Sequence, residues 1–256
     1  MTITITNNKI AGFEPRWAPH RGFSLLFDNP GKSYSPMGED WSKIDCSLEE
    51  GLQLYKGLAK FLDEMGQHRL TNMYLFCPLP LSSYHVTVWD GLNEGNAQNV
   101  SASYRSKIKD FLNNLPGSLL IDENFIGEVL HSPLITTTDG SIKFKFNELA
   151  KWGNQVLVAR LMPADQDSEG KFERIVDARD TLSARFREQF EVEMRKGYSP
   201  HITLGYFANE EYGELATPQI AYWTELLKRK VGDQLITFSS ISLYGFTDMV
   251  TFFKRV

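Results

Sequence analysis

Apolar positions recur along this chain in two periods, and the switches between them predict its elements. Gly22–Phe27 (GFSLLF) reads as a short buried strand, and the Pro- and Gly-containing stretch DNPGKSYSPMGED after it as a long loop. Ser47 and Glu50 form a capping-box pattern ahead of Leu52, Tyr55, Ala59, Leu62 and Met65, whose helical spacing predicts a helix ending near Gly66. Residues 73–77 and 84–89 are apolar, aromatic or β-branched runs with strand character. A second helical face, Val100, Tyr104, Ile108, Phe111 and Leu115, stops at Pro116-Gly117. Strands are expected at 125–130, 142–146 and 155–161, with Asp139-Gly140 as a turn. Phe172, Ile175, Leu182, Phe186 and Phe190 mark one face of a long helix that Gly197 can end. A strand at 201–207 follows, then a helix opened by Thr217-Pro218 with Ile220, Trp223, Leu227 and Val231 as its buried face, and closing strands at 236–243 and 250–253.

The two halves repeat one order: strand, helix, strand bearing a histidine, helix, two strands. This self-similarity predicts a single bilobal domain built of two similar α/β lobes, at about 20–150 and 151–256.

Composition narrows the class. The 256 residues are 42% hydrophobic and 23% charged, enough to bury a substantial core, which excludes disorder and collagen-like structure. The net charge of -5 lacks the basic excess that drives binding to duplex DNA or anionic membrane. Two cysteines, Cys46 and Cys77, are too few for a disulfide scaffold or a structural zinc site. No stretch reaches the ~18 apolar residues of a membrane span, and the start, MTITITNNKI, has no apolar signal core. A cytoplasmic monomer is the expectation.

Candidate chemistry lies in two of the five histidines. His85 stands in Tyr84-His85-Val86-Thr87-Val88 and His201 in Pro200-His201-Ile202-Thr203-Leu204, so both read His, apolar, Thr, apolar. With five histidines and 15 threonines, chance spacing yields about 0.3 such triplets. On a strand, residues i and i+2 share a face, so each motif presents imidazole and hydroxyl together while its apolar residues face the core. Two such motifs around one cleft suit a phosphodiester. One neutral histidine would act as general base and one protonated histidine as general acid, with Thr87 and Thr203 donating to phosphate oxygens. No metal or other cofactor is required by this arrangement.

These motifs resemble those of the 2H phosphoesterase superfamily, named for two His-x-Thr or His-x-Ser motifs. The resemblance implies an α+β fold of two pseudo-symmetric lobes with antiparallel-rich sheets around a central cleft. It also implies that His85 and His201 are the acid/base pair, that Thr87 and Thr203 hold phosphate, and that a cyclic phosphate, a 2'-linked nucleotide or an RNA end is the substrate. Ligase-like members often carry an arginine three residues after the second threonine, where this chain has Tyr206. A non-catalytic nucleotide-binding module using the same cleft is the alternative, and an RNA-end factor with a larger partner is a third.

Further candidates are secondary. Trp89 lies four residues after His85 and by strand parity shares its face, where it could stack on a base; a core role competes. Tyr206 falls on the core parity unless Gly205 introduces a bulge. Tyr34 and Lys32 lie in the long loop and could close over a ligand. Arg21, Arg185 and Arg187 could each reach phosphate, and sequence does not choose among them. His20, His68 and His131 have no matched partner and no metal-ligand spacing. Lys228-Arg229-Lys230 suits a helix C-terminus, and no dinucleotide, P-loop or serine-hydrolase motif occurs.

Overall fold

The computed structural model describes residues 4–12, 17–28, 32–37, 40–45, 50–136, 140–194 and 196–255, without the side chains of 32–37, 40–45, 50, 67–69 and 136. In chain order the first half comprises β1 (Gly22–Phe27), β2 (Lys32–Met37), β3 (Asp40–Asp45), α1 (Gln53–Glu64), α2 (Gln67–Tyr74), β4 (Phe76–Pro78) and β5 (Thr87–Asn93). Four helices follow, α3 (Ala102–Asn113), α4 (Gly117–Ile121), α5 (Gly127–Leu130) and α6 (Pro133–Thr136). The second half comprises β6 (Ile142–Trp152), β7 (Val156–Pro163), α7 (Gln166–Phe190), β8 (His201–Phe207), α8 (Glu210–Leu215), α9 (Ile220–Val231), β9 (Leu235–Phe238), β10 (Ile241–Phe246) and β11 (Phe252–Lys254).

The strands form two sheets, ordered β3-β2-β11-β10-β1-β5 and β4-β8-β7-β6-β9, antiparallel throughout except where β11 runs parallel to β2. The fold class is α+β. Strands are exchanged between the halves: β10 and β11 complete the first sheet, β4 joins the second, and position 150/151 falls inside β6. The helices close the core because their apolar faces match the sheets. Leu54, Leu58, Phe61 and Leu62 of α1 are buried, as are Trp223, Leu227 and Val231 of α9. The long helix α7 starts at Asp165, whose carboxylate accepts from the Ser168 N–H, and buries Leu182, Phe186 and Phe190.

Several elements differ from the sequence expectation. The stretch after β1 is a β-ribbon rather than a loop, with Lys32 paired to Asp45 and Met37 to Asp40, and its inner arm, β2, is held by β11. Residues 127–130 are helical, because Phe125, Ile126 and Val129 are buried at helical spacing, and a short apolar run does not distinguish the two periods. Helix α2 runs to Tyr74 and ends at Leu75, in left-handed conformation with φ 43°, which leaves three residues for β4. Helix α7 ends at Glu191, φ 56°, not at Gly197. Thr217 does not cap α9: its hydroxyl accepts from Lys151 Nζ at 2.5 Å, and residues 217–219 form a 3-10 turn. Cys46, Ser47 and Asp139 lie outside the described residues. No helix among the described residues is long and apolar enough to cross a membrane.

One polar cluster ties the first sheet together. Asp28, buried just after β1, accepts from the Ser240, Ser242 and Tyr244 hydroxyls at 2.5, 2.9 and 2.8 Å, and pairs with Lys254 Nζ at 2.9 Å. Burial opposes its charge, but these donors outweigh burial and hold the carboxyl below its ordinary value. A depressed carboxyl stabilises the fold above the unfolded-state pKa of about 4 and loses that contribution as pH falls through the folded value. Asp28→Ala should therefore cost about 2–4 kcal/mol at pH 7, and denaturant titrations should show the gap between wild type and variant narrowing below about pH 4.

Candidate active site

The site is built where the two sheets meet. β4 lies antiparallel along one edge of β8, pairing Phe76 with Phe207 and Pro78 with Gly205, and Leu79 N–H still donates to the Leu204 carbonyl at 2.9 Å. After a short excursion the chain returns to β8 at Val86, which forms an isolated antiparallel bridge with Ile202. From Thr87 onward β5 departs to pair with β1. Val86 and Ile202 are fully buried, whereas His85, Thr87, His201 and Thr203 are half-buried. That alternation places all four motif side chains on the face away from the core. In the antiparallel sense of the bridge, His85 lies on the Thr203 side of it and Thr87 on the His201 side.

The two imidazoles are anchored alike. His85 Nδ1 donates to the Ser83 carbonyl at 2.8 Å, and His201 Nδ1 to the Ser199 carbonyl at 2.9 Å. A carbonyl only accepts, so each ring carries a proton on Nδ1 and its neutral form has Nε2 as acceptor. Their surroundings differ. His85 packs against Phe252 with ring centroids 4.6 Å apart, and burial pushes its pKa below the usual histidine value despite the opposing Ser83 carbonyl and Asp90 charge. His201 meets Trp152 edge-on at 4.0 Å and faces Arg160 across the β7 pairing. Arg160 donates Nε to Ser199 Oγ at 3.1 Å and pairs with Glu148 at 2.6 Å, which steadies the residue whose carbonyl orients His201.

Each motif is followed by one extra residue. Thr87 pairs with Leu26 but Trp89 with Leu25, and Thr203 pairs with Val158 but Gly205 with Leu157, so β5 and β8 bulge at the same place. The bulge corrects the expectation that Trp89 shares the face of His85. Trp89 is 1% exposed, donates Nε1 to Ser183 Oγ at 3.0 Å and packs against Phe186 at 4.7 Å. Asp90 takes the cleft side instead. In the second motif the equivalent position is Gly205, because β4 crosses there: a Cβ would lie 2.5 Å from the Cys77 carbonyl oxygen. Tyr206 is buried, with its hydroxyl on Met249 Sδ at 3.1 Å and Trp17 against its ring. Tyr34 is in β2, its backbone paired with Phe253, and its side chain, like that of Lys32, lies outside the described residues.

A cleft of about 300 Å³ opens beside the bridge, with Thr87 and His201 in its wall. Sequence reasoning does not reach its other polar residues: Asp90 of β5, Arg160 of β7, Arg179 of α7, and Lys196, Tyr198 and Ser199 from the loop before β8. Arg179 is 3% exposed, donates Nε to the Val88 carbonyl at 3.0 Å and stands 5.2 Å from the Tyr198 ring centroid. Signals for three of them are present. Arg179 interrupts the apolar stripe between Ile175 and Leu182, Arg160 interrupts the apolar run of β7, and a serine stands two places before both histidines. Arg21 and Arg185 are ion-paired, with Glu94 at 3.3 Å and Glu128 at 3.0 Å, and Arg187 lines an adjacent cavity.

The other histidines are engaged elsewhere. His20 is buried against Phe246, and burial, then the Lys9 charge, holds its pKa down at about 4. His131 Nδ1 bonds the Gly127 carbonyl at 2.8 Å, and the side chain of His68 lies outside the described residues. At the end of α9, Lys228 pairs with Glu225 at 3.2 Å and Lys230 with Glu64. Among the described residues no group of three His, Cys, Asp or Glu side chains is placed to hold a metal ion.

Fold and site together define an α+β protein with two His-x-Thr motifs facing each other at the junction of its sheets. The family model of 2H-phosphodiest, described as a domain of unknown function (DUF1868), matches residues 35–109, which contain the first motif and not the second. The chain thus resembles the 2H phosphoesterases in sequence, as its paired motifs suggest. Among solved structures, the conserved protein of unknown function ATU0111 from Agrobacterium tumefaciens str. C58 shares the fold, at 14% identity and TM-score 0.54 over 98% of this chain and 90% of that one. Usb1 of Kluyveromyces marxianus aligns at 8% identity and TM-score 0.40 over 90% and 93% of the two chains. The MHV ns2 PDE domain aligns at 15% identity and TM-score 0.31 over 74% and 84%. No curated protein sequence matches significantly.

The burial of Trp89 makes a direct prediction. Trp89→Phe should cost about 1–2 kcal/mol of stability through the lost hydrogen bond and ring contacts, with nucleotide affinity in a calorimetric titration unchanged. Weaker binding at unchanged stability would instead return the residue to the cleft.

Proposed function

We propose that this chain is a metal-independent phosphodiesterase that hydrolyses a 2',3'-cyclic phosphate or a 2'-linked nucleotide, free or at an RNA end. The observation that carries this reading is the Val86–Ile202 bridge, which sets two identically anchored imidazoles and two hydroxyls on one face. Of these four groups Thr87 and His201 line the cleft, and a phosphate is the ligand that a set of imidazoles and hydroxyls suits. The 2H-phosphodiest match over the first motif supports the same chemistry.

The roles follow from the surroundings. His85, whose pKa burial lowers, takes a proton on Nε2 from the attacking water as the new P–O bond forms. His201, in its doubly protonated form, gives its Nε2 proton to the ribose oxygen as the old P–O bond breaks. Thr87 and Thr203 donate to the non-bridging oxygens, and the cations of Arg160, Arg179 and Lys196 on the cleft offset the negative charge that develops. After one turnover the proton has passed from His201 to the product and from water to His85, and exchange with solvent restores both rings.

Two outcomes are expected. His85→Ala and His201→Ala should each lower turnover by about 10²–10⁴-fold with the fold intact, measured by phosphorus NMR with EDTA present on 2',3'-cyclic, 3',5'-cyclic and 2'-5'-linked nucleotides; full activity in either variant would overturn the reading. The dependence of kcat/KM on pH should be bell-shaped. A neutral base works above its own pKa, so the rising acid limb, set by His85, should have its midpoint below about 6.5.

A further inference from the structure

We propose that Asp90 and Tyr198 form a wall of the cleft that reads the base of the substrate, and that the base they select is guanine. This deepens the phosphodiesterase reading and rests on it for the position of the phosphate. Asp90 and Tyr198 both line the cleft that holds Thr87 and His201. The bulge after Thr87 turns Asp90 to that side, where its charge is felt by His85, Tyr198 and Lys9. Among the described residues its carboxylate accepts no hydrogen bond. The Tyr198 hydroxyl is likewise buried and unpartnered, while its ring is clamped between Phe172, stacked at 5.4 Å, and the Arg179 guanidinium. Burial of an unpaired hydroxyl is a standing cost that a bound ligand removes.

The chemistry of this wall restricts what can face it. A carboxylate beside a phosphate site repels the anion, so Asp90 must meet a neutral part of the ligand. It only accepts, so that part must present N–H or O–H groups. In a 2',3'-cyclic phosphate at an RNA end the 2', 3' and 5' oxygens are all esterified, which leaves the base as the donor. Of the four RNA bases only guanine carries two adjacent donors, N1–H and the N2 amine, beside an acceptor, O6. Asp90 accepts from the two donors and the Tyr198 hydroxyl donates to O6. Adenine, cytosine and uracil each set a lone pair where guanine has a donor, so each meets the carboxylate with repulsion.

Equilibrium binding of the four nucleoside 3'-monophosphates to the full chain, followed by calorimetry, tests this without requiring turnover. Guanosine 3'-monophosphate should bind at least ~10-fold more tightly than the adenosine, cytidine and uridine compounds. Asp90→Asn, which keeps shape and removes one acceptor, should abolish that ratio. Tyr198→Phe, which keeps the clamped ring, should reduce it. Equal affinities for the four in wild type, or a guanine preference that survives Asp90→Asn, would overturn the proposal. Hydrolysis of a base-free ribose 2',3'-cyclic phosphate by wild type reports on the phosphodiesterase reading separately: loss of that activity with guanine selectivity intact defeats the catalytic reading alone, and the converse defeats this proposal alone.

Discussion

When Val86 and Ile202 pair as an antiparallel bridge, four polar side chains are obliged to share the opposite face. Everything around the candidate site serves that pairing. β4 runs along the C-terminal half of the same β8 edge and delivers the chain to the bridge, and β7 occupies the other edge, with Ala159 opposite Ile202. Both bridge residues are buried without remainder, so a slip by one residue would send two histidines into the core and two aliphatic side chains into the cleft. The register of the chemistry is thus enforced by the hydrophobic effect acting on the residues between the chemical groups.

The bulges after the motifs convert a near-symmetric pair into an asymmetric site. Both strands insert a residue at the same point, yet the position that follows is Trp89 in one and Gly205 in the other. Trp89 fills space under α7, where Ser183 and Phe186 receive it. Gly205 leaves space, because the backbone of β4 passes too close for any side chain. Beyond the bulges Asp90 lines an open cleft, while Tyr206 is covered by Trp17 and Met249. One motif is therefore followed by a carboxylate beside the cleft and the other by a packed aromatic, so the two strands give the cleft unlike surroundings.

The reach of the sequence is set by locality. His85, Thr87, His201 and Thr203 are legible because a two-residue period on a strand is a local property, and the long helices are legible because α7 and α9 repeat their apolar positions over several turns. The ribbon of β2 and β3 is not, since nothing local distinguishes its polar strands from a loop until β11 pairs with them. The face of Trp89 is lost for a similar reason: a bulge is a relation between two strands and inverts the parity counted along one. Arg160 and Arg179 lie between these cases. Each is a charge set in an apolar pattern, which marks it as paired inside the fold, but only tertiary contact shows that both reach one cleft.

The difference between two imidazoles with the same anchor comes from distant packing. The carbonyls of Ser83 and Ser199 hold both rings on Nδ1, so tautomer alone does not separate them. What separates them is cover. His85 lies against Phe252 of β11, and β11 is held in the sheet by Lys254, which pairs with Asp28, and by Tyr244, its neighbour on β10, which donates to the same carboxylate. His201 instead lies beside Trp152 and opposite Arg160, on the wall of the cleft. The closing strand of the chain, pinned by one buried carboxylate, thus supplies part of the burial that holds the first imidazole below its ordinary pKa, an effect of withdrawing water from the ring rather than of placing a charge beside it.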